Sequence, residues 1–408
     1  MTQETYPIVI KTLASLEEPL AKELSEIGIK DTKVLRRGVS FSGTLADIYR
    51  ANMFCRTAIA VLREVGTFTF SDKEDFHQKM MKIDWSKYFG PEKTIVIYSV
   101  ATRSEVFSNT LFLSQLTKDA VADYFREKTG IRPTVNKDDA DIRLNIYVNE
   151  NRCIVSLDSS GEPLFKRGYR KQGGGAPLNE VLAAGLIMHS GWDRKSPFVD
   201  PMCGSATFSI EAALMALNIA PGSLRKVFSF MHWNDFDPEL WNQIKKEAKE
   251  QETNNMPPIV AGDVASKSID ISRKNILQAG FLGQIKLQKQ DFFLSHPPAG
   301  KGVVILNPPY GERMKRDNLN EFYTKIGDTL KKQYPGYKAG IITSDVPAMK
   351  SIGLKPIKRV PTFNGALECK FMVYEIFAGT HKDHVIATKP KRKRIIVSNE
   401  TQGEELEG

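Results

Sequence analysis

Gly302-Val303-Val304-Ile305-Leu306-Asn307-Pro308-Pro309-Tyr310-Gly311 is the stretch that decides the fold. Its aliphatic, largely β-branched run has the length and character of a fully buried strand. Two prolines cannot extend that strand, so the chain must turn there. The turn leaves an amide side chain, a carbonyl and an aromatic ring at the carboxyl end of a buried strand, the edge at which open α/β sheets form their ligand crevices. The side-chain carbonyl of Asn307 and the backbone carbonyl of Pro308 are two acceptors. At fixed angles they can hold both hydrogens of an NH2 group and turn the nitrogen lone pair toward an electrophile. Tyr310 offers a flat face on which a base can stack. The stretch reads as a site for a planar amine, such as adenine N6, guanine N2 or a glutamine amide. The plain alternative is a strand that ends in a proline turn.

An electrophile site lies upstream. In residues 197–217 a short apolar strand ends at Asp200, a small-residue loop follows (Cys203, Gly204, Ser205, Ala206, Thr207), and a helix then begins with Ile210, Leu214 and Leu217 on one stripe. Strand, small-residue loop and helix N-terminus make a crevice for a nucleotide cofactor, because small residues let a ligand approach the backbone. Neither G-x-G-x-x-G nor G-x-x-x-x-G-K-[ST] is present, so a phosphate ligand is not favoured. Asp200 at the strand tip fits a ligand that carries an ammonium group. Two further strands end in acids, Pro258–Asp263 and Ile285–Asp291. An acid at the second strand's tip binds ribose hydroxyls in such sheets, and one at the third can accept from an adenine amine. Each could instead simply cap the helix that follows.

These segments together resemble the S-adenosylmethionine (SAM) site and catalytic motif of class I amino-methyltransferases. Residues Leu157-Asp158-Ser159-Ser160-Gly161-Glu162-Pro163-Leu164, Lys166-Arg167-Gly168-Tyr169-Arg170, Ala176-Pro177-Leu178-Asn179-Glu180 and Asn364-Gly365-Ala366-Leu367-Glu368-Cys369 are similar to one subset, the THUMP-domain RNA guanine-N2 methyltransferases. The resemblance covers roughly residues 1–380 and is densest over 157–375. It implies an α/β chain with a Rossmann-like, SAM-dependent methyltransferase domain at 177–380. Ahead of it stand two small α+β domains, a ferredoxin-like one at 1–60 and an RNA-binding THUMP domain at 61–160. It implies SAM as the cofactor, held by Asp200, Met202, Cys203, Gly204, Ser205, Thr207, Asp263, Asp291, Phe292 and Asn307. The catalytic residues would be Asn307, Pro308, Pro309 and Tyr310. It also puts Asn179 and Glu180 near the cofactor's methionine end. The family usually has Gly where this chain has Ala206, so a methyl group is expected to intrude near the cofactor loop.

At 408 residues the chain is too long for one compact core. No run of 18 apolar residues exists, so no membrane span is expected, and the first residues lack the pattern of a signal peptide. Cys55, Cys153, Cys203 and Cys369 are scattered, which suits a reducing cytoplasm and makes no metal pattern. Net charge is +9, with 25 Lys/Arg against 23 Asp/Glu in residues 1–170 and 32 against 25 in the remainder. A polyanionic partner is plausible on that balance, and so is a mildly basic enzyme.

The front of the chain alternates strand-like and helix-like stretches, which says α+β. Glycines and Pro163 mark 161–176 as a linker. Lys166, Arg167, Arg170 and Lys171 cluster there and could neutralise RNA phosphates; a solvated linker is the bland reading. Pro177 suits the first position of a helix. Residues 218–256 are an insertion rich in aromatics, expected to pack against the sheet. Residues 381–408 form a basic-then-acidic tail with the composition of a disordered segment. The favoured activity is methyl transfer from SAM to a guanosine N2 in large-subunit ribosomal RNA, with transfer RNA as the second substrate. Three alternatives stay open: a DNA adenine-N6 methylase, a protein glutamine methylase and a non-catalytic RNA-binding assembly factor.

Overall fold

The computed structural model describes residues 4–170, 177–309 and 316–377. Tyr310, Lys171 and the charged tail lie outside the described residues.

The front half carries β1 (Tyr6–Lys11), α1 (Glu17–Glu26), β2 (Lys33–Leu35), β3 (Gly38–Gly43), α2 (Leu45–Phe54), β4 (Ala60–Thr69), α3 (Lys73–Met81), β5 (Ile95–Thr102), α4 (Thr110–Thr129), β6 (Ile142–Asn149) and β7 (Arg152–Asp158). Local chemistry sets the helix starts. Thr44 and Asp47 form a reciprocal capping box on α2, and Asp72 and Asn109 accept from the first free N–H groups of α3 and α4. Gly130, in the left-handed region at φ 75, ends α4.

All seven front strands form one sheet in the order β2-β3-β1-β4-β7-β6-β5. The join is β4. Its residues Ala60–Arg63 pair with β1, while the span from Leu62 to Thr69 pairs with β7 across a bulge between Glu64 and Gly66. The two small front units therefore share one continuous sheet and one buried cluster.

The second half carries α5 (Glu180–Ser190), β8 (Phe198–Asp200), α6 (Thr207–Ala216), α7 (Pro238–Glu250), β9 (Ile259–Asp263), α8 (Ser266–Gln278), β10 (Lys286–Lys289), β11 (Val303–Leu306), α9 (Arg316–Gln333), β12 (Lys338–Thr343), β13 (Lys358–Asn364) and β14 (Leu367–Glu375). Its sheet runs β10-β9-β8-β11-β12-β14-β13. The first five positions in that order are parallel, and β14 enters antiparallel between β12 and β13. Strand order reverses between β8 and β11, the switch point at which such sheets open a crevice. Val303, Val304, Ile305 and Leu306 are at most 3% exposed, as the quoted stretch required.

Two expectations need correction. The helix near Pro177 begins at Glu180. Asn179 is its cap, accepting from the N–H groups of Val181 and Leu182, and a capping side chain fixes a helix start more firmly than a preceding proline. The aromatic insertion packs chiefly against the front half, not the second sheet. Tyr49 of α2 stacks on Phe230 at 4.3 Å and meets Trp241 edge-on at 5.8 Å. Arg50 pairs with Glu247, and Arg63 pairs with Asp235. No described helix is long and apolar enough to cross a membrane.

Candidate active site

Parallel strands place their carboxyl ends side by side, so the sheet order brings Asp291, Asp263, Asp200 and Asn307 to one edge in that sequence. The loop after β8 is pinned from two sides. The N–H of Cys203 donates to the carbonyl of Gly262 at 2.8 Å, and the N–H of Gly204 donates to Asp263 Oδ2 at 3.0 Å. From α8, Ser272 Oγ donates to the carbonyl of Gly204 at 3.0 Å and Asn275 Nδ2 to that of Ser205 at 3.1 Å. Gly204 has φ 56, and a Cβ placed there would face open space, so a ligand can reach this backbone.

Ala206 also lies in the left-handed region, at φ 62 and ψ 28, directly before α6. Its methyl group is fully buried in the core and does not intrude on the loop's open side, which corrects the expectation. The cost of alanine here is conformational, roughly 1–2 kcal/mol for an L-residue in that region.

Asp200, at the tip of β8, is fully buried. Ser209 Oγ donates to its Oδ2 at 2.9 Å, while Oδ1 has no partner among the described residues. Burial pushes its carboxyl up to about 7, against the pull of Ser209. Asp263 is half-buried, with Oδ1 accepting from the N–H of Ala265 at 2.8 Å and Oδ2 from that of Gly204. Asp291 is exposed and accepts from the N–H of Phe293 at 2.9 Å. Phe292 is 3% exposed and lines a small cavity with Val199, Pro201 and Gly262 at the strand ends. Met202 is half-buried against the cluster around α9. Burial holds the Cys203 thiol well above its ordinary range, so it is no nucleophile.

Asn307 follows β11 directly and is half-buried; its Oδ1 is a buried acceptor without a hydrogen-bond partner among the described residues. Pro308 is buried and Pro309 exposed. A buried acceptor left open costs free energy that a partner would relieve.

Of the cations expected to meet phosphates, Arg167 and Arg170 face inward. Lys166 is exposed but bridges Glu162 at 2.7 Å. Arg167 is 1% exposed, donates to the carbonyls of Leu164 and Arg56, and lies beside Glu211. Arg170 pairs with Glu180 at 2.8 Å and donates to Ser205 Oγ, Thr207 Oγ1 and the carbonyl of Leu178. The physical reason is that buried carboxylates at 180 and 211 need guanidinium partners, and the flanking strap delivers them. The hydroxyls of Ser205 and Thr207 are thus already engaged from within the protein. Arg225 Nη1 and Nη2 further fix this strap by donating to the carbonyls of Ser160, Glu162, Pro163 and Lys166. Sequence reading missed Glu180 and Glu211 as the partners of these arginines. The acid in the first turn of α5 was visible, but its pairing was not.

Family models match nearly the whole described chain. One described as the RMKL-like methyltransferase domain matches residues 167–372. A THUMP domain model matches 70–158, and an RlmL ferredoxin-like domain model matches 7–62. The chain is 36% identical over 384 residues to the ribosomal RNA large subunit methyltransferase K/L of Methylococcus capsulatus, covering 92% of this chain and 52% of that protein. It thus spans about half the length of the K/L relatives it matches. The candidate RNA methyltransferase slr0064 of Synechocystis is 36% identical over 375 residues, covering 91% of this chain and 97% of that one. Among solved structures, the candidate methyltransferase SMU.472 complexed with SAH superposes with TM-score 0.83 at 28% identity, over 93% of this chain and all of that one. TrmN of Thermus thermophilus shares the fold at TM-score 0.68 and 16% identity, covering 92% of this chain and 100% of that one. With the RMKL-like model over half of its length and slr0064 matched almost end to end, the chain belongs to the THUMP-bearing, RMKL-like methyltransferase family.

Proposed function

We propose that this chain transfers a methyl group from SAM to the N2 amine of a guanosine in large-subunit ribosomal RNA, working in the cytoplasm. The observation that supports the reading is the buried Oδ1 of Asn307, without a partner among the described residues, at the carboxyl end of β11, beside the loop of 201–206 across the switch point. SAM supplies a methyl group on a sulfonium sulfur, an electrophile that needs no activation by the protein. Gly204 leaves room for it, and Asp263 and Asp291 offer carboxylate oxygens to its sugar and base. Asn307 and the carbonyl of Pro308 hold the two hydrogens of the accepting amine, so that its lone pair faces the methyl group. A strong base is not required, because the proton can leave once the nitrogen has become positive. Guanosine in ribosomal RNA is favoured over other amines by the front domains and by the names that the relatives carry. Transfer RNA is the second substrate.

The test is single-turnover methyl transfer with nucleoside mass spectrometry of the product. Asn307→Ala is expected to slow transfer on the order of 100- to 1000-fold, the usual cost of losing one preorganised polar partner. RNA and SAM affinities should change little, since the contact matters most in the transition state. Near-normal turnover, or a product other than N2-methylguanosine, would overturn the reading.

A further inference from the structure

We infer that Arg170 is a positioning residue for the cofactor loop, the last of three arginines through which the front half of the chain sets the register of α6. The inference rests on the reading that the crevice at 200–207 holds SAM.

Helix α6 begins where the cofactor loop ends, so a shift of the helix moves the loop. It is gripped at three levels by guanidinium groups from outside the methyltransferase sheet. At its C-terminal end, Arg56 Nη2, from the turn between α2 and β4, donates to the carbonyls of Ile219 at 2.8 Å and Leu214 at 3.4 Å. A cation at the carbonyl end of a helix is the favourable polarity. In its middle, Glu211 is fully buried, with Arg167 Nε at 3.5 Å and the Tyr169 hydroxyl donating at 3.1 Å. At its first turn, Arg170 Nη2 donates to Thr207 Oγ1 at 3.0 Å and Nη1 to Ser205 Oγ at 3.2 Å.

Arg170 does more than touch the loop. Its Nε donates to Glu180 at 2.8 Å, at the first turn of α5, and Nη2 also reaches the carbonyl of Leu178. One planar fork therefore fixes three things relative to one another: the start of α5, the Ser205 backbone segment and the start of α6. The contacts suit a fork, because four acceptors are met by separate N–H groups of one planar guanidinium, which a point charge cannot do. The three arginines also communicate. The carbonyl of Arg56 accepts from Arg167 Nη2, and Tyr169 and Arg170 follow two and three residues later in the same strap. The linker is a splint, and its arginines face inward.

The double-mutant cycle between Arg170 and the loop hydroxyls tests this. Arg170→Lys keeps a charge for Glu180 and loses the fork. In the full chain, it should raise KM for SAM about tenfold, the lower end of what outer-shell partners typically contribute. The KM for RNA and kcat at saturating SAM should stay within about twofold. The pair Ser205→Ala with Thr207→Val should do the same, and combining all three changes should add little more, because the effect runs through one set of contacts. A role confined to stability would leave KM for SAM unchanged in folded protein, or would move all three parameters together. Either of those results, or full additivity, would overturn the inference. Should Arg170→Lys fail to fold, Arg170→Gln, which keeps a planar donor pair for the same hydroxyls, is the second variant and must raise KM for SAM. Asp263→Ala serves as the reference. If it weakens SAM binding while Arg170→Lys does not, the inference fails alone. If neither has an effect, the crevice reading fails with it.

Discussion

At the scale of a residue, Asp200 shows how position outranks type. The carboxyl of this strand-tip acid is enclosed, and burial holds it near 7 with the charge of Asp263 pushing the same way. In the unfolded chain the same group titrates near 3.8. As pH rises through that window the unfolded state releases its proton first, so stability is shed up to about 7 and is level above it. Asp200→Asn keeps an acceptor for Ser209 and cannot ionise. The mutant's advantage over the parent chain in denaturant midpoint should therefore be larger at about pH 8 than at about pH 5. An equal difference at both would show that Asp200 is not the group that titrates. Asn307 is the contrasting case. Its amide has no titration to be shifted, and its open Oδ1 sits where the residue order Asn-Pro-Pro placed it.

At the scale of an element, the strand ends were legible and the partners of the insertion were not. Val303–Leu306 is a buried strand because four aliphatic residues are followed by prolines, a fact of local sequence. The arginines at 167 and 170 misled for a different reason. Their buried partners, Glu211 and Glu180, lie 44 and 10 residues downstream, and charge counting cannot tell a cation that faces solvent from one that faces inward. The insertion of 218–256 was misplaced in the same way. Its aromatics announced burial, but the surface that buries them, on α2, stands some 180 residues earlier. The tightest point of that seam is Gly222, in the turn Pro221–Leu224. A Cβ there would stand 2.7 Å from the carbonyl oxygen of Asn52 and 2.7 Å from the Cα of Met53. Both are backbone atoms that cannot swing aside. Gly222→Ala should cost about 1–3 kcal/mol, the usual penalty for overpacking, read as a lower denaturant midpoint. An unchanged midpoint would mean that the insertion does not seat against α2 so closely in solution.

At the scale of the whole molecule, the front and catalytic halves are packed against each other. Several seams join the halves among the described residues. The insertion contributes Phe228, Phe230, Trp233 and Trp241 to the front core. Arg56 caps α6. Leu16 lies against Gly185 of α5, where a Cβ would come within 2.3 Å of its side chain. A cut at the strap, leaving residues 177–408, would strip the insertion's aromatics of the surface that covers them and leave Glu211 without Arg167. An uncompensated buried charge alone costs several kcal/mol, in the range of 3–5 when one partner is removed. The whole stability of a domain is about 5–15 kcal/mol. The fragment is thus expected to expose apolar surface, bind a hydrophobic dye, melt without a sharp transition and bind SAM poorly, while the intact chain melts in one cooperative step. Calorimetry and SAM titration on both would decide it. A fragment that melts sharply and binds SAM as the full chain does would show that the catalytic half folds by itself, and that the seams hold two finished domains together without completing either.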